Sequence, residues 1–135
     1  MSVRIVRLGT PRLPGEGTRI GTVRRPPRGV PKSEFASRDY YDVWFPNLSP
    51  SAELVKRALA SQADLSAAGE KEWAAFRRGY RAEMAQPENA HAIALLAAMS
   101  KVSNFSVGCY CEEEARCHRS ILRVLLRDAG AQVAD

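Results

Sequence analysis

The apolar positions of the chain fall into blocks with two different spacings. Val3, Ile5 and Leu8 sit among Arg4 and Arg7, which predicts a short strand over Val3 to Leu8, and a second is expected from Arg19 to Val23. Between them GTPRLPGEGT carries three glycines and two prolines in ten residues, so it forms neither a helix nor a regular strand. Tyr40 to Phe45 is aromatic and β-favouring and runs into Pro46, which suits a short strand or a packed extended segment. From there the period changes. Ser49-Pro50 reads as a helix start, with the serine capping free N–H groups, proline in the first helical position and Glu53 near the positive end of the dipole; this helix is expected to reach about Gln62. Trp73, Phe76, Tyr80 and Met84 recur at spacings of three and four, so they share one face of a second helix between Gly69 and Gln86, with Arg77, Arg78 and Arg81 beside or opposite it.

Pro87 opens a third helix whose Ala90, Ile93, Ala94, Leu96, Ala97 and Met99 leave it apolar over much of its circumference, which predicts deep burial and makes His91 a core histidine. The run FSVGCYC, Phe105 to Cys111, is short and uncharged, as a central strand covered on both faces would be. A last helix follows, with Ile121, Leu122, Leu125 and Leu126 on its apolar face and Gly130 as its stop. Helix, buried strand and helix in this order predict one α/β domain over residues 1–135, a small three-layer-like fold with a short, mostly parallel sheet flanked by helices.

Composition narrows the setting. The shares of apolar (45%) and charged (26%) residues are those of ordinary globular domains, so disorder is expected only in loops and ends. Ala90 to Met99 is far shorter than the roughly 20 residues of a membrane span. MSVRIVRLGT has no apolar signal region, so a cytoplasmic, reducing location is expected and no membrane partner. In that setting Cys109, Cys111 and Cys117 are not a disulfide framework; they bind metal, react or simply pack. The net charge of +5 lies wholly in residues 1–48, which hold nine Lys/Arg against four Asp/Glu. Six of those cations fall between Arg19 and Arg38, and the proline-stiffened RRPPRGVPK presents Arg24, Arg25, Arg28 and Lys32 with little entropy left to lose on binding an anion. A solvated basic loop is the plain alternative.

The cysteines mark where a strand hands over to a helix, a place where free N–H groups and the helix dipole attract anions. Strand alternation puts Cys109 and Cys111 on one face with Cα atoms about 7 Å apart, too far for an easy disulfide. Cys117 and His118 open the next helix between Arg116 and Arg119, so a thiol at Cys117 is expected to be more acidic than a free cysteine. Three chemistries compete. The most supported is an anion pocket of Arg116, His118, Arg119 and the helix N-terminus, helped by Arg24 or Arg28. A second is thiol catalysis with Cys111 or Cys117 as nucleophile and His118 beside it, as in phosphatases and sulfurtransferases. Against it, Cys111 and Arg116 enclose one residue fewer than that pattern wants, and Glu112, Glu113 and Glu114 would repel an anionic substrate. A third is zinc held by Cys109, Cys111, Cys117 and His118, although adjacent residues rarely share one ion and no CxxC knuckle is present. The bland account has the cysteines packing as small hydrophobes and the arginines pairing with Glu112 to Glu114.

PRG at Pro27 to Gly29 with Lys32 after it, SPS at Ser49 to Ser51, WAAFRRGYRAEM at Trp73 to Met84 and CYCEEEARCHRSIL at Cys109 to Leu122 occur in an order and spacing that resemble the domain of unknown function family 488, which includes the YeaO-like proteins. The resemblance covers nearly the whole chain and implies a compact α/β fold. It departs at VRRPPRG, where Val23 and Pro26 stand in place of an acid and a tryptophan usual in the family. The family brings no established activity, so the resemblance implies the fold and the pocket but not the reaction. The expected function is binding of a phosphate-type anion or nucleotide, through Arg24, Arg28, Lys32, Arg116 and Arg119, with thiol chemistry at Cys111 or Cys117 and no cofactor. A nucleic-acid or protein interaction module using only the basic N-terminal loop is the alternative.

Overall fold

The structure, a computed structural model, describes residues 1–134. Its elements in chain order are β1 (Val3–Arg7), β2 (Thr18–Gly21), β3 (Val43–Trp44), α1 (Ala52–Ala63), α2 (Ala67–Met84), α3 (Pro87–Met99), β4 (Phe105–Cys109) and α4 (His118–Asp128), with single 3-10 turns at Lys32–Glu34 and Pro46–Leu48. The four strands form one all-parallel sheet in the order β1-β4-β2-β3, so the fold is α/β. The apolar run predicted as a central strand is central: every residue of β4 is buried, with Val3 paired to Phe105 on one side and Ile20 to Val107 on the other.

Strand alternation sends Phe105, Val107, Ile20 and Val3 to one face, where all four helices meet them in a single core with Phe76, Tyr80, Leu122 and Leu126. Burying each such side chain contributes about 1.5–3 kcal/mol. The Trp73, Phe76, Tyr80, Met84 stripe faces this core as its spacing predicts, and Arg77, Arg78 and Arg81 point outward. Loops rather than helices cover the opposite face. There Arg19, the neighbour of Ile20 on β2, makes a two-pronged ion pair with Glu16 (2.8 and 3.0 Å) and donates to the carbonyls of Thr10 (2.8 Å) and Asp39 (2.7 Å). Glu16 accepts a further bond from the Ser106 hydroxyl on β4 (2.8 Å). Burial alone would raise the Glu16 pKa, but the bonds from Arg19 and Ser106 outweigh it and hold the carboxyl below its ordinary value. Gly17, at φ +80°, lets the loop carrying this pair run close under β4: a Cβ there would strike the Asn104 carbonyl.

Three expectations need correction. The cap of α1 is Ser51, whose side chain accepts from Leu54 N, and not Ser49; the Ser49 N–H is already bonded to Pro46 O, which holds it in the preceding 3-10 turn. The third helix is not buried all round, since Ile93, Leu96 and Ala97 face the core while Leu95 is 62% exposed. His91 lies on its open side and is not a core histidine. Among the described residues, no helix is long and apolar enough to cross a membrane.

Candidate functional site

Cys109 is the last residue of β4 and shares the face of Phe105 and Val107, so its thiol is carried to the edge of the core where the sheet stops. The chain turns through 110–116 and returns at Cys117, the extended N-cap residue of α4. This return brings the sulfurs together: Cys109 Sγ and Cys111 Sγ are 3.8 Å apart, and Cys117 Sγ is 3.7 Å from His118 Nδ1. Cys109, Cys117 and His118 are buried, with their ligand atoms all within 4.8 Å of one another. Cys111 is half-buried.

Around this cluster each polar group has a defined role. His118 Nε2 faces the Thr22 carbonyl at 2.9 Å, and because a carbonyl only accepts, the ring proton is assigned to Nε2 and the Nδ1 lone pair points at sulfur. Burial pushes the His118 imidazolium down to about 4, so the ring is neutral near pH 7. Hydrogen bonds from Cys109, Cys117 and the Gln62 amide (3.7 Å) all favour charge on Cys111, whose pKa falls well below that of a free thiol. Giving those bonds raises Cys109. Cys117 also ends above its ordinary value: a bond with Cys109 lowers it, but the bond with Cys111 and burial raise it more. The acidity expected at Cys117 is thus found at Cys111.

The predicted binding residues separate into three groups. Arg119 is only 3% exposed and turns into the cluster, donating from Nε to Cys117 Sγ (3.4 Å) and from Nη2 to Cys111 O (2.6 Å). Arg116 turns instead to α1, donating to the carbonyls of Ser61 and Asp64. Arg24 lies at the mouth of a cavity of about 550 Å³ that Arg25 and Lys56 also line, with Cys109, Cys111, Cys117 and His118 at its floor. Apolar groups from Val55, Ala58, Leu59 and Phe76 make much of its wall. Arg28 belongs to a separate hollow of about 370 Å³ with Arg25, Tyr40 and Tyr110, and Lys32 is exposed in the first 3-10 turn. Of the three glutamates, Glu114 is held by Arg123 (2.7 and 2.8 Å), while Glu112 and Glu113 face solvent.

Sequence reasoning missed Thr22, Lys56 and Gln62. Each reaches the site from a distant segment, and no local pattern marks them. Comparison with curated proteins and with solved structures finds no match. The family model described as the active DUF488-N3 subclade, DUF488-N3a, matches residues 3–130, and the chain therefore belongs to the DUF488 family.

Proposed function

We propose that the cavity between α1 and the end of β2 binds a small ligand with a phosphate-type anionic group and an apolar or aromatic body, and presents Cys111 to it for thiol-dependent chemistry. The observation that carries this reading is the 550 Å³ cavity itself, with cations Arg24, Arg25 and Lys56 at its mouth, apolar walls, and the sulfur and imidazole groups at its floor. Arg24 and Lys56 provide charge for the anion; the walls take the rest of the ligand. Cys111 is the sulfur of the cluster left most open to a ligand, since Cys109 and Cys117 are buried. The description of the matched subclade as active accords with chemistry at this site.

Calorimetric titration with adenosine monophosphate, with inorganic phosphate as the minimal probe, tests the reading. Arg24→Ala and Lys56→Ala should each weaken binding about tenfold, the loss of one charge-assisted contact. Arg28→Ala should leave it unchanged. No binding of either probe, or equal loss on Arg28→Ala, would overturn it. The adjoining hollow supports a second reading. Tyr40 and Tyr110 pack edge to face there with ring centroids 6.2 Å apart beside Arg25 and Arg28, which is the pairing of stacking surface and charge that single-stranded nucleic acid uses. Salt-sensitive oligonucleotide binding lost on Arg25→Ala and Arg28→Ala but kept in Lys56→Ala would favour it.

A further inference from the structure

We propose that Cys109, Cys117 and His118, with Cys111 completing the set from the cavity side, hold one thiophilic divalent metal ion, Zn²⁺ foremost. The inference does not depend on the ligand being bound in the cavity; where it holds, Cys111 is a metal-held thiolate and not a free thiol. Tetrahedral zinc with bonds of about 2.3 Å to sulfur and about 2.1 Å to nitrogen has edges of roughly 3.5–3.8 Å between its ligand atoms. Two edges of that size are already present, Cys109 Sγ to Cys111 Sγ at 3.8 Å and Cys117 Sγ to His118 Nδ1 at 3.7 Å. The ligand atoms of Cys109, Cys117 and His118 close on one another within 4.8 Å although the last two are sequence neighbours. Cys117 is the extended N-cap residue and His118 the first residue of α4, so the backbone changes conformation between the two.

Two features outside the ligand set point the same way. His118 gives its Nε2 proton to the Thr22 carbonyl, and Thr22 Oγ1 lies at 3.2 Å, so the ring is held with the Nδ1 lone pair toward the sulfurs; an outer carbonyl orients metal-bound histidines in this manner. Arg119 is the second. Its guanidinium is 3% exposed, and among the described residues it makes no ion pair with a carboxylate; its partners are Cys117 Sγ and the Cys111 carbonyl. A guanidinium so buried calls for negative charge close by, and the sulfur it touches belongs to the cluster that can carry that charge. Three thiolates around a divalent ion carry one net negative charge, and Arg119 balances it. Soft sulfur and imidazole donors select zinc over magnesium or calcium, which favour oxygen.

The full chain, purified under reducing conditions without chelator, should carry about one zinc per molecule by elemental analysis and native mass spectrometry. Replacing zinc by Co²⁺ should give thiolate-to-cobalt charge-transfer absorption and the visible bands of a tetrahedral site. Cys111→Ser should keep the fold, lose about one third of the charge-transfer intensity and, as the loss of a direct ligand, weaken metal affinity by at least the roughly 10–100-fold that follows loss of an outer-shell partner. Cys117→Ser should abolish binding; if that variant does not fold, the cobalt spectrum of the unaltered chain decides. A folded, reduced chain that contains no metal and takes up neither Zn²⁺ nor Co²⁺ would overturn the inference, as would a cobalt spectrum without thiolate charge transfer. Adenosine monophosphate titration of the same samples reads the ligand proposal separately, so either can fail alone.

Discussion

Arg19 and Arg119 are almost equally buried, 1% and 3% exposed, and they solve the burial of a guanidinium in opposite ways. Arg19 is closed: Glu16 meets it two-pronged, two carbonyls take further protons, and Ser106 occupies the carboxylate from the other side. Nothing at that location is left to bind. Among the described residues Arg119 donates to a sulfur and a carbonyl, both of residues that line the cavity. The contrast separates a device that fastens the N-terminal loop beneath the sheet from a charge turned to the sulfur cluster.

The comparison breaks most visibly at Arg19. Arg19→Leu leaves Glu16 buried with no cation and should cost about 3–5 kcal/mol in urea unfolding. A cost below about 1 kcal/mol would show that the pair fastens nothing. Acid should remove part of the same energy. The folded Glu16 pKa lies below its usual 4.5, so its stabilisation is complete above that value and fades as pH falls through the lowered one. Unfolding midpoints measured from pH 7 to pH 3 should therefore be flat near neutrality and drop at the acid end. The drop should shrink in a Glu16→Gln, Arg19→Met double variant. At Arg119 the expected cost is smaller, about 1–3 kcal/mol for Arg119→Leu, because two acceptors rather than a buried carboxylate lose their donor. That change should also weaken zinc in chelator competition, whereas Arg19→Met should not. Arg123→Gln supplies the lower limit. Its pair with Glu114 is partly exposed, and its loss should cost no more than about 1 kcal/mol in the same assay.

How far these features could be read from the chain depends on the distance their signal travels. The helix over Trp73 to Met84, the strand at Phe105 and the helix bearing Ile121 to Leu126 announce themselves by local periodicity, and all three form as read. The α1 cap fails because Ser49-Pro50 and Ser51 are equally good local candidates; what decides is the 3-10 turn that binds the Ser49 N–H. In α3 the alanines fit core and surface alike, so the exposed side carrying Leu95 and His91 has no apolar contrast to reveal it. The convergence of Cys109, Cys111, Cys117 and His118 was visible as a possibility of spacing. Its supports were not, because Thr22 and Gln62 lie 96 and 49 residues from their partners. Glu16 and Arg19 look like ordinary loop polarity until Ser106, 90 residues away, closes over them.

The strand order has a consequence for how the molecule comes into being. β1 and β2 are not neighbours; each pairs with β4, and Val3 must find Phe105 across 102 residues. On the ribosome β1 has therefore to wait, unpaired, until most of the chain has been made, with its hydrogen-bonding edge open to any passing strand. Contacts so distant in sequence are also slow to form in a refolding chain, because a long loop must close before they can form. The arginines on either side of Ile5 keep the waiting segment charged, which discourages the wrong pairings that delay invites.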